Sequence, residues 1–213
     1  LVTGVQTCAL PIYSSEQFGV NGSFNLDFKQ VITNKDSIVE NLKYGIAFLI
    51  KKNKITFIKG EAAFVDEKSI KVNDEVLKAD YFIIATGSVV SMLNIDGIDS
   101  PSVVTSKEML SLGEVPKTLT VVGGGVVGVE LASIYNQFGS KVTILEYQKN
   151  LLGYIEGDVS KRLKPMLKKQ GIDILTSAEV VRIENDTVFY KFKDKEVSVK
   201  SDLILMSVGR KSY

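Results

Sequence analysis

Gly123, Gly124, Gly125, Val126, Val127 and Gly128 fit the pattern G-x-G-x-x-G directly after an apolar run, Leu119 to Val122. Between a strand and a helix, each glycine of that pattern has its own reason. Gly123 permits the tight turn out of the strand, Gly125 lets a pyrophosphate approach the backbone, and Gly128 lets the helix pack closely on the strand. Amides at the helix start, backed by the positive end of its dipole, then point at the phosphates. Glu146 follows at close to the ~20-residue interval expected for the acid that accepts hydrogen bonds from both hydroxyls of an adenosine ribose. It would repel a 2′-phosphate. No Arg follows it directly, although Lys149 is near, so NAD is favoured over NADP. The competing explanation is an ordinary glycine-rich turn; the strand before, the helix after and the acid at the next strand's end argue against it.

The elements that must position these residues are legible around them. Leu131, Ile134 and Phe138 recur on one helix face, and Gly139 ends that helix as a left-handed terminator. Lys141 to Glu146 reads as the second strand. Asp158 is the expected N-cap of a further helix, with Val159, Leu163, Met166 and Leu167 on one face, Pro165 inside it and Lys168 and Lys169 in its last turn. Ile172 to Leu175 reads as a third strand, residues 178 to 199 as a β-meander, and Leu203 to Val208 as a final buried strand. Upstream, Ser37 and Glu40 form the pattern of a capping box for a helix over 37 to 52. Short strands are expected at Ile55 to Ile58, Ala62 to Val65, Ser69 to Val72 and Val76 to Leu77. Tyr81 to Ala85 reads as a strand buried on both faces, followed by a turn at Thr86, Gly87 and Ser88. A linker with Ser91, Asn94, Asp96, Gly97, Asp99 and Pro101 leads to a short helix near Thr105 to Leu112, where Thr105 and Glu108 repeat the capping-box pair. Parallel strands with an antiparallel insertion define the class as α/β: a Rossmann-like dinucleotide-binding domain, a parallel sheet plus a β-meander, over residues 90 to 213, after part of a second domain over 13 to 89.

Composition narrows the chemistry. The 213 residues are 45% hydrophobic and 24% charged, enough to bury a core. Lys plus Arg is 26 and Asp plus Glu is 25, a formal charge of +1, so no basic excess points to nucleic acid or an acidic membrane surface. The basic helix with Lys161, Arg162, Lys164, Lys168 and Lys169 is read as a solvated face. No apolar run approaches the ~20 residues of a membrane-spanning helix. With no histidine and one cysteine, Cys8, the chain can build no histidine acid/base pair, internal disulfide, CxxC zinc site or redox dithiol; no catalytic and no metal residue is assigned. Val2 to Ile12 (VTGVQTCALPI) is not a signal peptide. It resembles the translation of a short-read sequencing adapter, so residues 1 to 12, with Cys8, are expected to be an artefact ahead of a fragment that begins near Tyr13.

Ile84 to Ser88 (IATGS), Val122 to Glu130 (VGGGVVGVE), Glu146, Lys168 to Ile172 (KKQGI) and Ser207 to Arg210 (SVGR), in that order and spacing, resemble the pyridine nucleotide-disulfide oxidoreductases. Within that family they most resemble the dihydrolipoyl dehydrogenases, flavoproteins that reoxidise lipoyl groups. The likeness runs from residue 13 to 213. It implies that Gly123, Gly124, Gly125, Val126, Val127, Gly128, Val129 and Glu130 hold the NAD pyrophosphate and its surroundings, that Glu146 holds the ribose, that Val180 lies by the adenine and Gly209 near the nicotinamide. Ala62, Thr86, Gly87 and Ser88 match FAD contacts, which makes residues 13 to 89 part of an FAD-binding domain. For Ala62 a small residue in a strand is an equally good account, and for Thr86 to Ser88 a plain strand-end turn is the alternative. The resemblance further implies a homodimeric full-length enzyme serving the lipoyl-bearing subunit of 2-oxo acid dehydrogenase complexes, in the cytoplasm or the mitochondrial matrix. Its FAD fingerprint and paired cysteines would precede Tyr13, and its His and Glu acid/base pair would follow Tyr213. Another flavin-dependent disulfide reductase, an NADH oxidase, or a noncatalytic NAD-binding module are the other readings.

Overall fold

A computed structural model describes residues 25–213; the expectations for Val2 to Ile12 and Cys8 lie outside the described residues. The described residues divide into two compact units, one holding Ser88–Ser212 with Asn25 to Ile32, the other Thr33–Gly87 with Tyr213. The division falls inside the first helix, α1 (Phe28–Lys52).

The larger unit is built on a five-stranded parallel sheet. Its strands are β5 (Val103–Val104), β6 (Thr118–Val122), β7 (Lys141–Glu146), β8 (Asp173–Thr176) and β12 (Leu203–Met206), in the spatial order β5-β12-β6-β7-β8. These segments are mostly apolar at their centres because both faces are covered there. Alternate residues serve opposite faces, as the period of two requires. Leu205 joins Val121, Val142 and Ile144 in one cluster, with Leu131, Ala132, Tyr135 and Leu167 from the helices. Ile204 and Met206 join Val122 and Leu145 in the other, with Ile183, Val188 and Tyr190 from the meander. The helices are α2 (Ser106–Met109), α3 (Val126–Gln137) and α4 (Gly157–Lys169). The meander is β9 (Glu179–Glu184), β10 (Thr187–Phe192) and β11 (Lys195–Lys200), all antiparallel. Each fully buried Leu, Ile or Met contributes roughly 1.5–3 kcal/mol of transfer free energy, so this layered core dominates the unit's stability. Phe28 (8% exposed) closes it at one end, edge-on to Phe138 at 5.4 Å between ring centroids.

Several expectations need correction. The stretch over 91 to 102 is no free linker: Leu93, Ile95 and Ile98 pack on the meander cluster, Ile183 donates its amide to the Asp96 carbonyl at 2.8 Å, and the Ser100 hydroxyl donates to the Asn185 carbonyl at 2.7 Å. Helix α4 begins after Glu156, with Asp158 in its first turn and no side-chain cap; Val159 and Met166 are exposed, so its buried face is narrower than its apolar pattern. The final buried strand stops at Met206, and a further strand, β13 (Arg210–Ser212), pairs antiparallel with β4 (Ser88–Val90). The capping box at Thr105 and Glu108 forms as expected: Thr105 donates its amide (2.9 Å) and its hydroxyl (2.5 Å) to the Glu108 carboxylate, and Lys107 donates its amide to the hydroxyl at 3.3 Å.

In the smaller unit, β1 (Ala62–Asp66), β2 (Ser69–Val72) and β3 (Glu75–Lys78) form an antiparallel sheet. Helix α1 starts well before the expected Ser37: that serine sits inside it, its hydroxyl donating to the Thr33 carbonyl at 3.0 Å rather than capping. Ile55 to Ile58 and Tyr81 to Ala85 form no strand. Tyr81 and Ile83 are 91% and 93% exposed, because among the described residues no strand pairs with that run and no layer covers it. Ile38, Leu42, Ile46 and Leu49 on α1 are exposed as well. No described helix is long and apolar enough to cross a membrane.

Two measurements check this description. Thr105→Ala lowers stability by about 1 kcal/mol in urea melts. The Thr105 hydroxyl, then its amide, hold the Glu108 carboxyl below the usual carboxylate range. That contribution is present above the ordinary carboxylate pKa and is lost as pH falls through the lowered value, so the difference from Thr105→Ala shrinks in acid. In hydrogen exchange, amides of β6, β7 and β12 outlast those of β1 to β3, whose sheet buries few side chains.

Candidate functional site

The order β5-β12-β6-β7-β8 fixes where a site can form. From β6 the chain steps outward through β7 to β8, then returns to place β12 on the opposite side of β6. Successive connections therefore leave β6 in opposite directions, and a crevice opens at the carboxyl ends of β6 and β12, the topological switch point where ligands settle in such sheets. A cleft of about 900 Å³ lies there. It brings together Gly123, Gly124, Gly125, Val126, Val127, Glu146, Val180 and Gly209. Gly128, Val129 and Glu130 stand on α3 outside the lining, the first two buried and Glu130 exposed. Ala62, Thr86, Gly87 and Ser88 are exposed and belong to no part of this cleft.

The motif glycines are required by different neighbours. Gly123 has φ +105°, and a Cβ there would lie 2.5 Å from the Ser207 carbonyl oxygen. At Gly128 a Cβ would collide with the Gly123 carbonyl and come within 2.6 Å of Ser207 Oγ, so helix and strand touch backbone to backbone. Gly124 is closed in by Leu151 and by the Glu146 carboxylate. Gly125 is the exception: its φ of −74° is open to any residue, and a Cβ would meet nothing within 4 Å. Nothing in the fold asks for glycine there, and the position faces the cleft.

Gly125 is also the N-cap of α3, and no side chain caps that helix. The amides of its first turn have no intrahelical acceptor and gather the positive end of the dipole at the cleft. Glu146 is buried at 9% exposure. One carboxylate oxygen accepts the Gly124 amide at 2.5 Å and the other the Gln148 amide at 2.5 Å. Each oxygen keeps a second lone-pair direction for a hydroxyl. The acid thus fastens the glycine loop to the end of β7 as well as facing the cleft.

Ser207 is a site residue that the sequence did not single out by role. Its amide donates to the Val122 carbonyl at 2.8 Å, and its hydroxyl reaches the carbonyls of Val122 and Gly123 at 3.0 and 2.9 Å. It ties the end of β12 to the turn out of β6. It stands in the Ser207 to Arg210 motif at the end of an apolar strand, but nothing in that pattern assigns its hydroxyl a partner. Arg210 lines the cleft while its guanidinium donates to the Ser88 hydroxyl and carbonyl at 2.8 and 2.6 Å. Leu93, Asn94 and Ile95 supply a wall that a free linker would not have formed. For the glycines, Gly128→Ala destabilises by about 1–3 kcal/mol through overpacking against backbone, whereas Gly125→Ala costs only about 0.5–1 kcal/mol, the penalty of alanine at an N-cap; calorimetric melts of both variants decide it.

Known proteins share this arrangement. The pyridine nucleotide-disulphide oxidoreductase family profile matches residues 7–213. A dihydrolipoyl dehydrogenase of Acholeplasma laidlawii is 39% identical over 207 residues, covering 94% of this chain and 62% of the relative. The dihydrolipoyl dehydrogenase of Mycoplasma genitalium is 38% identical over 195 residues, covering 90% of this chain and 43% of the relative. The HOCl-induced flavoprotein disulfide reductase RclA from Escherichia coli superposes with a TM-score of 0.77 at 30% identity, over 98% of this chain and 47% of its own. The chain spans about half the length of these relatives. With this profile, these identities and a Rossmann-like parallel sheet that opens at its switch point beneath the glycine motif, the chain belongs to the pyridine nucleotide-disulphide oxidoreductase family.

Proposed function

We propose that this chain supplies the NAD-binding part and a portion of the FAD-binding part of an FAD-dependent disulfide oxidoreductase of the dihydrolipoyl dehydrogenase type. The observation that carries the reading is Gly125: a glycine the fold does not need, at an uncapped helix start, facing a cleft at the switch point. A pyrophosphate fits this cradle. Its oxygens would take the free amides of Val126 and Val127, and a side chain at 125 would occupy its place. Glu146 would accept the adenosine ribose hydroxyls on its remaining lone pairs, Val180 would flank the adenine, and Gly209 would lie near the nicotinamide. Gly128 and Val129 would act behind the cleft by seating α3, and Glu130 would act from the helix beyond it.

For FAD the chain offers Ala62, Thr86, Gly87 and Ser88, with residues 13 to 89 as part of that domain. A bound flavin supplies hydride exchange with the nicotinamide and passage of the electron pair to a disulfide. With one cysteine and no histidine, this chain holds neither a dithiol nor a histidine base, so alone it would be inactive in disulfide chemistry. The lipoyl-bearing subunit of 2-oxo acid dehydrogenase complexes is the proposed partner of the whole enzyme, a homodimer. The likeness to RclA favours a second reading, a reductase of another disulfide. Turnover of dihydrolipoamide by the full-length enzyme separates the two.

Fluorescence titration tests the cofactor reading. NADH binds, and NADPH binds more weakly by at least about tenfold, since its 2′-phosphate would face a buried carboxylate. Equal or tighter NADPH binding overturns the role of Glu146. Gly125→Leu stays folded, at a cost of about 1 kcal/mol for an apolar N-cap, and loses NADH affinity by at least about tenfold; retained affinity would place the pyrophosphate elsewhere.

A further inference from the structure

The same parallel strands carry a second cleft, of about 700 Å³, at their opposite ends. Thr118, Lys141 and Asp173 enter it from the first residues of β6, β7 and β8. Lys168 enters from the last turn of α4, and Ser198 and Lys200 from β11. The switch-point rule does not account for it, because that rule places ligands at the carboxyl ends.

Its chemistry is lopsided. Three lysines face one carboxylate, Asp173. Lys168 has a structural reason to be there, since a cation complements the negative end of α4. Lys141 stands on a strand, where no such reason applies, and Lys200 is held on its strand by an acid. Lys200 pairs with Asp186 at 3.1 Å, while Lys141 and Lys168 make no ion pair among the described residues. On the meander side the lining turns apolar through Leu175 and Val199, which pack in one cluster with Tyr190.

Tyr190 supplies the independent observation. Its ring is buried, 5% exposed as a residue, and lines this cleft, while its hydroxyl, with no hydrogen-bond partner among the described residues, stays accessible to solvent; burial of the ring pushes its pKa upward. A phenol whose ring is fixed in an apolar wall and whose hydroxyl opens to a cleft is free to donate to a ligand there. Tyr135, the other deeply buried tyrosine, donates to the Met109 carbonyl.

We propose that this amino-end cleft binds a small organic anion, a carboxylate or phosphate carried on an apolar body, with Lys141, Lys168 and Lys200 pairing the charge and Tyr190 donating to it. The apolar lining would take the body of the ligand, and Ser198 and Thr118 on the rim can hydrogen-bond its oxygens.

Heteronuclear NMR titration of the full chain with benzoate, phenyl phosphate, inorganic phosphate and benzyl alcohol tests it. The expected result is saturable shifts at the amides of Gly171, Asp173 and Ser198 with benzoate or phenyl phosphate, and none with benzyl alcohol. The stronger of the two aromatic anions identifies the anionic group, and inorganic phosphate alone shows how much the apolar body adds. Tyr190→Phe, which keeps the ring, and separately Lys141→Gln and Lys168→Gln at exposed positions, each weaken binding by about tenfold. The proposal fails if no saturable shift appears, if shifts appear only at Gly123 to Val127, if benzyl alcohol binds equally, or if the lysine variants bind like the parent.

Discussion

Gly123 leaves β6 at a φ of +105°, and the turn it makes lets three backbone segments meet where a side chain could not fit. The carbonyl of Gly123 lies against Gly128 in α3, and the carbonyl of Ser207 at the end of β12 lies against Gly123 itself. This contact fixes the distance from α3 to the sheet and from β12 to the turn. The cleft, the direction of the α3 amides and the position of the Ser207 hydroxyl all follow from it. Such close packing tolerates little added volume, since interiors pack at crystal-like density.

Glu146 shows how one residue can be part of the fold and of the site. A carboxylate this buried is costly unless its oxygens are satisfied, and the amides of Gly124 and Gln148 satisfy one lone pair on each. Those bonds hold the glycine loop against β7 and aim the remaining lone pairs. Acid and loop therefore position each other, and the acid lies at the end of the second strand because the loop it fastens leaves the first.

The two ends of the parallel sheet differ in chemistry for a physical reason. At the carboxyl ends, backbone amides and the α3 dipole provide positive character without side-chain charge. At the amino ends lysine side chains provide it, beside a tyrosine whose hydroxyl has no acceptor among the described residues.

Most of the larger unit was legible in the residues because its signals are local. The apolar strands at 118, 141 and 203, the capping box at Thr105, the antiparallel meander and the glycine motif each depend on residues a few positions apart. The smaller unit was legible less well. The run Tyr81 to Ala85 has the composition of a doubly buried strand, yet composition forms a strand only where a neighbour hydrogen-bonds it, and among the described residues none does. Ser37 carries a capping signal, but Phe28 and Ile32 pack on the larger unit's core, and α1 starts at Phe28. The sequence by itself determined the α/β class, the glycine turn and the acid placed to face it. Tertiary structure alone decided that Ser207 ties β12 to the turn, 84 residues away in the chain, that Leu93, Asn94 and Ile95 wall the cleft, and that Gly125 faces open space. Those outcomes depend on which strands lie side by side, and no local period or spacing encodes that.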